Sequence, residues 1–147
     1  MTVLAPDLTR AFPRSPREKM GNYFHLARMA DKARSKSAGT QGEYIYPCPL
    51  DRLLLEFLEI GDGPFFEAAR QNDDDALLSW VLQNAKGKSP QEIEEWNRAF
   101  VERRPDREDS KKHFLEIRNR IAPHRTDVTT WVDLLDLEEG RPVPARH

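Results

Sequence analysis

A chain of 147 residues, 38% hydrophobic and 33% charged, is long enough to bury a core without disulfide or metal, and its Phe, Trp, Leu and Ile content sets it apart from disordered chains. The single cysteine, Cys48, excludes an intrachain disulfide and every multi-cysteine zinc pattern, and no run of about 18 apolar residues is present to span a bilayer. Arg10, Arg14 and Arg17 interrupt the amino terminus before an apolar signal core could form, so the expected location is cytoplasmic.

The net charge of −2 is unevenly spread. Residues 14–36 carry seven Arg or Lys against Glu18 and Asp31, residues 50–102 carry twelve Asp or Glu against five Arg or Lys, and residues 103–125 are basic again, eight against four. Basic ends around an acidic middle either attract one another within the fold or present a face to anions.

Residues 1–14, punctuated by Pro6 and Pro13, read as an extended arm over the domain or loose in solvent. Ser15, Pro16 and Glu18 make a capping-box start, predicting a first helix from Ser15 to about Ser37, ended by Gly39 and Gly42. The segment EYIYPCP, Glu43–Pro49, favours extended backbone, and Tyr44 to Cys48 is the one stretch resembling a strand. Helices are then expected over 50–59 and 64–71, and in a fourth begun by the acidic run Asp73 to Asp75, burying Leu77, Leu78, Trp80, Val81 and Leu82. Ser89, Pro90 and Glu92 repeat the start signal for a fifth, with Ile93, Trp96, Phe100 and Val101 at helical spacing. A sixth runs over 107–122 with Phe114, Ile117 and Ile121, and a short seventh holds Trp131, Leu134 and Leu135 before an irregular tail, 139–147. The expectation is an all-α, single compact domain of six or seven helices, its helical core spanning 15–138.

At 100° per residue, the first helix places Met20, Tyr23, Phe24, Ala27 and Ala30 on an apolar face from which Asp31 and Arg34 project. A buried pair at i, i+3 needs its remaining hydrogen bonds filled, and the hydroxyls of Tyr44 and Tyr46 are plausible partners. Two readings follow: a structural ion pair that fixes the loop to the helix, or a small polar pocket with Arg34 gripping an anion. On the other side, Arg17, Arg28, Lys32 and Lys36, with His25 among them, form a basic stripe expected to face water; phosphate-backbone binding is the lesser reading of it, since a pI near 6.1 argues against nucleic acid as a partner. Cys48 stands before the 50–59 helix as a candidate N-cap, where the dipole would favour a thiolate while Asp51, at the third helical position, would oppose one. The histidines show no metal-ligand spacing, the glycines form no phosphate-cradling loop and G-x-S-x-G is absent, so neither metal nor cofactor is expected.

The candidate site is therefore Arg28, Asp31, Lys32, Arg34, Glu43, Tyr44, Tyr46, Cys48 and Asp51, in a non-catalytic module binding a small molecule or protein partner. The alternative is a small enzyme with Asp31 or Glu43 as acid or base and Arg34 or Arg28 holding an anionic substrate. The polar composition leaves room for a homodimer. Residues 15–51, with the spaced elements LARMADKAR and GEYIYPCPLD, together with the later WVDLL at 131–135, resemble an uncharacterised bacterial family, domain of unknown function 5069. The resemblance implies a small bacterial protein in which residues 28–51 form one structural unit, and it implies no catalytic residue.

Overall fold

The computed structural model describes residues 3–146; Met1, Thr2 and His147, which the expected arm and tail include, lie outside the described residues. Seven helices are present among the described residues: α1 (Leu26–Ala38), α2 (Pro49–Leu58), α3 (Asp62–Gln71), α4 (Asp74–Asn84), α5 (Pro90–Glu102), α6 (Glu108–Ile121) and α7 (Trp131–Glu138). The protein is all-α, and residues 44–48 form no strand. The chain divides into two compact units, the first ending at Ile93 and the second beginning at Glu94.

The largest departure from the sequence expectation is the start of the first helix, which lies at Leu26 rather than Ser15. Ser15 to Glu18 close only a turn, with the Glu18 amide donating to the Ser15 carbonyl at 3.0 Å. The chain then reverses through Gly21 at φ +60°, so that Met20 and Tyr23 exchange both backbone hydrogen bonds, at 3.1 and 3.2 Å. The left-handed backbone favours glycine, and a Cβ at Gly21 would stand 2.8 Å from the end of the Leu78 side chain, which would have to move aside. Met20 and Tyr23 are buried, as a helix would have buried them, which is why helical spacing misleads here. His25 ends the irregular stretch with φ 70°, a left-handed conformation that costs a non-glycine residue roughly 1–2 kcal/mol.

In the first unit α1 is enclosed: every residue from Leu26 to Ser35 is buried. It packs against α3, and Ala27, Ala30 and Ala33 on one helix and Ala68 and Ala69 on the other are buried small side chains, which permit close helix approach. Leu54 and Leu58 of α2, Phe65 of α3, and Leu77 and Val81 of α4 complete the apolar interior. The expected apolar face of α4 is narrower than its composition implies, with Leu78 and Trp80 half-buried and Leu82 62% exposed. The arm lies over the protein: the Leu8 amide donates to the Thr40 carbonyl at 2.8 Å, and Ser35 Oγ and Thr40 Oγ1 both donate to the Pro6 carbonyl.

In the second unit Phe114, Val128, Leu134 and Val143 form the core, flanked by Ile117, Trp131 and Leu137. Ile121, expected on the apolar face of α6, is exposed at the helix end. The tail is anchored by Arg125, which donates to the Val143 carbonyl at 2.9 Å, and by Arg146, whose guanidinium meets the buried Asp133 carboxylate at 2.7 and 3.0 Å. Among the described residues no helix is long and apolar enough to cross a membrane.

Candidate functional site

Four charged residues of α1, Arg28, Asp31, Lys32 and Arg34, are buried, and a buried charge persists only where it is paired and hydrogen-bonded. Arg28 and Lys32 meet the 44–51 segment, and Asp31 and Arg34 meet a network through Arg14 and Asp74, which corrects the expectation that Asp31 and Arg34 meet each other and the tyrosine segment.

Asp31 is held by Arg14 instead. Arg14 Nε and Nη2 donate to its two oxygens at 3.1 and 3.0 Å, and the Arg14 amide adds a third bond at 2.9 Å. The same guanidinium grips Asp74 at 2.7 and 3.2 Å. Arg34 donates to Asp74 at 2.8 Å, and to the carbonyls of Ala69 and Asn72 at 3.0 and 2.8 Å, which are acceptors that the end of α3 leaves open. The hydrogen bond from Arg14 holds the Asp74 carboxyl below its ordinary range, against some burial and with Arg34 adding to it. Burial would lower Arg14, yet its bonds to Asp74 and Asp31 outweigh this and keep it firmly cationic. Asp31 and Arg34 thus tie residue 14, α1, the end of α3 and the start of α4 together.

What the 44–51 segment covers is the basic stripe. Positions 28, 32 and 36 recur every four residues, drifting only about 40° per step, so they lie along one face. The Arg28 guanidinium sits 5.6 Å from the Tyr44 ring centre, and Lys36 Nζ donates to the Tyr46 carbonyl at 3.0 Å. Arg28 and Lys32 are only 2% and 4% exposed, so the stripe is no solvated track for phosphates. Tyr46 turns its hydroxyl away, donating to the Asp62 carbonyl at 2.7 Å, while its ring stacks 6.4 Å from that of Phe66. Burial pushes this phenol well above its ordinary range. Glu43 is exposed.

At the middle of the covered face lies the most concentrated chemistry of the first unit. Cys48 is the N-cap of α2, and Asp51 stands three residues on, in a capping box built from a thiol and a short acid. The Asp51 amide faces Sγ at 3.5 Å, and Asp51 Oδ2 accepts from the Cys48 amide at 2.9 Å. The same Oδ2 accepts from Lys32 Nζ at 2.7 Å, and Lys32 Nζ also reaches Sγ at 3.1 Å. Oδ1 meets His25 Nε2 at 2.7 Å. Of the four, only Cys48 is part exposed; the other three side chains are almost wholly buried.

Burial alone would push the Asp51 carboxyl up, but the hydrogen bond from His25 and the hydrogen bond and charge of Lys32 outweigh it and keep it ionised. Burial lowers His25, and the neighbouring Asp51 does not restore it, so the imidazole is neutral. A neutral imidazole bonded to an ionised carboxylate through Nε2 carries its proton there, leaving the lone pair on Nδ1. Lys32 and Asp51 then balance, and the cluster has no net charge.

Of the nine residues expected from sequence, the structure gathers Lys32, Cys48 and Asp51 into this cluster and places Arg28 on Tyr44 beside it. Asp31 and Arg34 belong to the Arg14 network, while Tyr46 and Glu43 face elsewhere. His25 was missed, although its place in the stripe, three residues before Arg28 and seven before Lys32, was the available signal. The imidazole nitrogen, the thiol and the carboxylate bring one ligand atom each to within 4.8 Å of one another, although no histidine spacing suggests a metal site.

The model of a domain of unknown function, DUF5069, matches residues 10–141, including every residue of both networks. The chain belongs to the DUF5069 family. The match runs from the arm, through the His25 cluster, to the end of α7 in the second unit, so one DUF5069 domain accounts for both compact units. No curated protein matches the chain.

Proposed function

We propose that this DUF5069 protein is a binding module whose recognition site is the seam between α1 and residues 44–51, with the Cys48 sulfur as the atom that meets the ligand. The observation that carries this reading is the placement of Cys48: a half-buried thiol forms the edge of an otherwise buried polar cluster, with the Lys32 ammonium at 3.1 Å and the first turn of α2 facing it. A sulfur at the rim of the cluster is a soft donor, suited to thiophilic ligands and to electrophiles. The Arg14 network suits a ligand less well, because Asp31 is already bonded to Arg14 through both oxygens and Arg34 to two backbone carbonyls.

Alkylation of the native protein by iodoacetamide at neutral pH tests the reading, with modification located by mass spectrometry. Cys48 is expected to react in the folded state, with folding verified by circular dichroism. A thiol that reacts only after unfolding overturns the proposal and leaves the cluster a purely structural clamp.

A further inference from the structure

We infer that His25, Cys48 and Asp51 form a site for a thiophilic divalent cation of the zinc class, with the Lys32 ammonium as the internal cation that the metal must displace. The inference rests on the reading that the seam beside α1 binds a ligand through Cys48, and it names that ligand's chemistry.

The donor set is one nitrogen, one sulfur and one oxygen, a mixture suited to a borderline ion such as zinc, and three protein ligands leave a fourth position open. Their ligand atoms lie within 4.8 Å of one another. Ligands at zinc bond lengths of roughly 2.0–2.3 Å stand about 3.3–3.7 Å apart around a tetrahedral ion, so the His25–Asp51 pair, bonded at 2.7 Å, must open and any wider pair must draw in. All three are positioned by backbone: Cys48 and Asp51 by the first turn of α2, and His25 by the left-handed residue that opens α1.

Lys32 marks where positive charge is wanted. Its Nζ bridges Asp51 Oδ2 at 2.7 Å and Cys48 Sγ at 3.1 Å, two of the three donors. When the metal enters, the Cys48 thiol proton leaves to solvent and the imidazole proton moves from Nε2 to Nδ1, turning the Nε2 lone pair toward the ion. Thiolate and carboxylate together neutralise the divalent charge. The ammonium then loses its counter-charge and must swing outward, so Lys32 opposes metal binding while it stabilises the metal-free protein.

Cobalt(II) and zinc(II) titrations of the full chain test this. Cobalt is expected to give the near-ultraviolet charge-transfer band of a cobalt–thiolate bond, which zinc then bleaches, and Cys48→Ser is expected to abolish cobalt and zinc binding. Lys32→Met should bind at least about tenfold more tightly, since it removes a unit positive charge a few ångströms from the ion. It should also gain more thermal stabilisation from zinc than the parent does, because the metal replaces the lost partner of Asp51. The absence of a thiolate band in folded protein, zinc binding that persists in Cys48→Ser, or tighter binding when Lys32 is kept would each overturn the inference. If no metal binds but Cys48 alkylates in the native state, the metal inference alone falls; a natively inert Cys48 removes both.

Discussion

Asp51 shows how much one short side chain can organise. Its two oxygens accept from His25, Lys32 and the Cys48 amide, joining the start of α1, its middle and the start of α2 at one carboxylate. Removing one member of a buried ion pair typically costs about 3–5 kcal/mol, because the other is left charged and unmatched. Asp74 plays a similar part at a more exposed position, and its lowered carboxyl has a consequence for acid stability. A group whose folded pKa is depressed contributes stability above its unfolded value, near 3.8, and loses it as pH falls through the folded value. Asp74→Asn should therefore lower the urea midpoint at neutral pH, with the difference from the parent closing as the pH drops below that value. A gap that stays constant into strong acid would disprove the assignment. At this scale Lys32, Cys48 and Asp51 were legible as candidates from charge, capping position and spacing. His25 was legible only as a member of the basic stripe, and its bond to Asp51, 26 residues away, is made by the folded chain.

Two nearly identical tetrapeptides show what an element owes to its neighbours. Ser89-Pro90-Gln91-Glu92 opens α5 as its pattern predicts, with Ser89 Oγ accepting from the Glu92 amide at 3.1 Å and Glu92 Oε1 from the Ser89 amide at 3.0 Å. Ser15-Pro16-Arg17-Glu18 carries the same signal and makes a single turn. The difference lies downstream, where Gly21 adopts a left-handed conformation beneath Leu78 and the chain doubles back before α1 can begin. Gly21→Ala should cost about 1–2 kcal/mol for the backbone conformation alone, with crowding against Leu78 adding to it, as measured by urea denaturation. A neutral or stabilising effect would mean that residues 15–24 tolerate the helix their spacing suggests. Helix existence was legible throughout, because apolar residues recur at the helical period; this start was not, since a tight bridge buries Met20 and Tyr23 as effectively as a helix would.

At the scale of the molecule, the all-α class followed from periodicity, but the centre of the first unit did not. A segment carrying Arg28, Asp31, Lys32 and Arg34 looks like a surface helix, and hydrophobicity alone assigns it one wet side. Residues 26–35 are instead buried on every side, since the arm, the 44–51 segment and the residue 72–74 turn each bring partners for one set of its polar groups. Amide hydrogen exchange should accordingly find residues 29–35 among the slowest in the first unit, exchanging only through its global opening. Fast exchange there, at rates like those of α4, would contradict the enclosure.

A rod walled in for nearly three turns has no outward side on which to hang a probe or an engineered contact. Any dye, spin label or immobilisation tag aimed at this helix must wait until Lys36, and a library that randomises positions 26 to 35 will mostly sample misfolded chains.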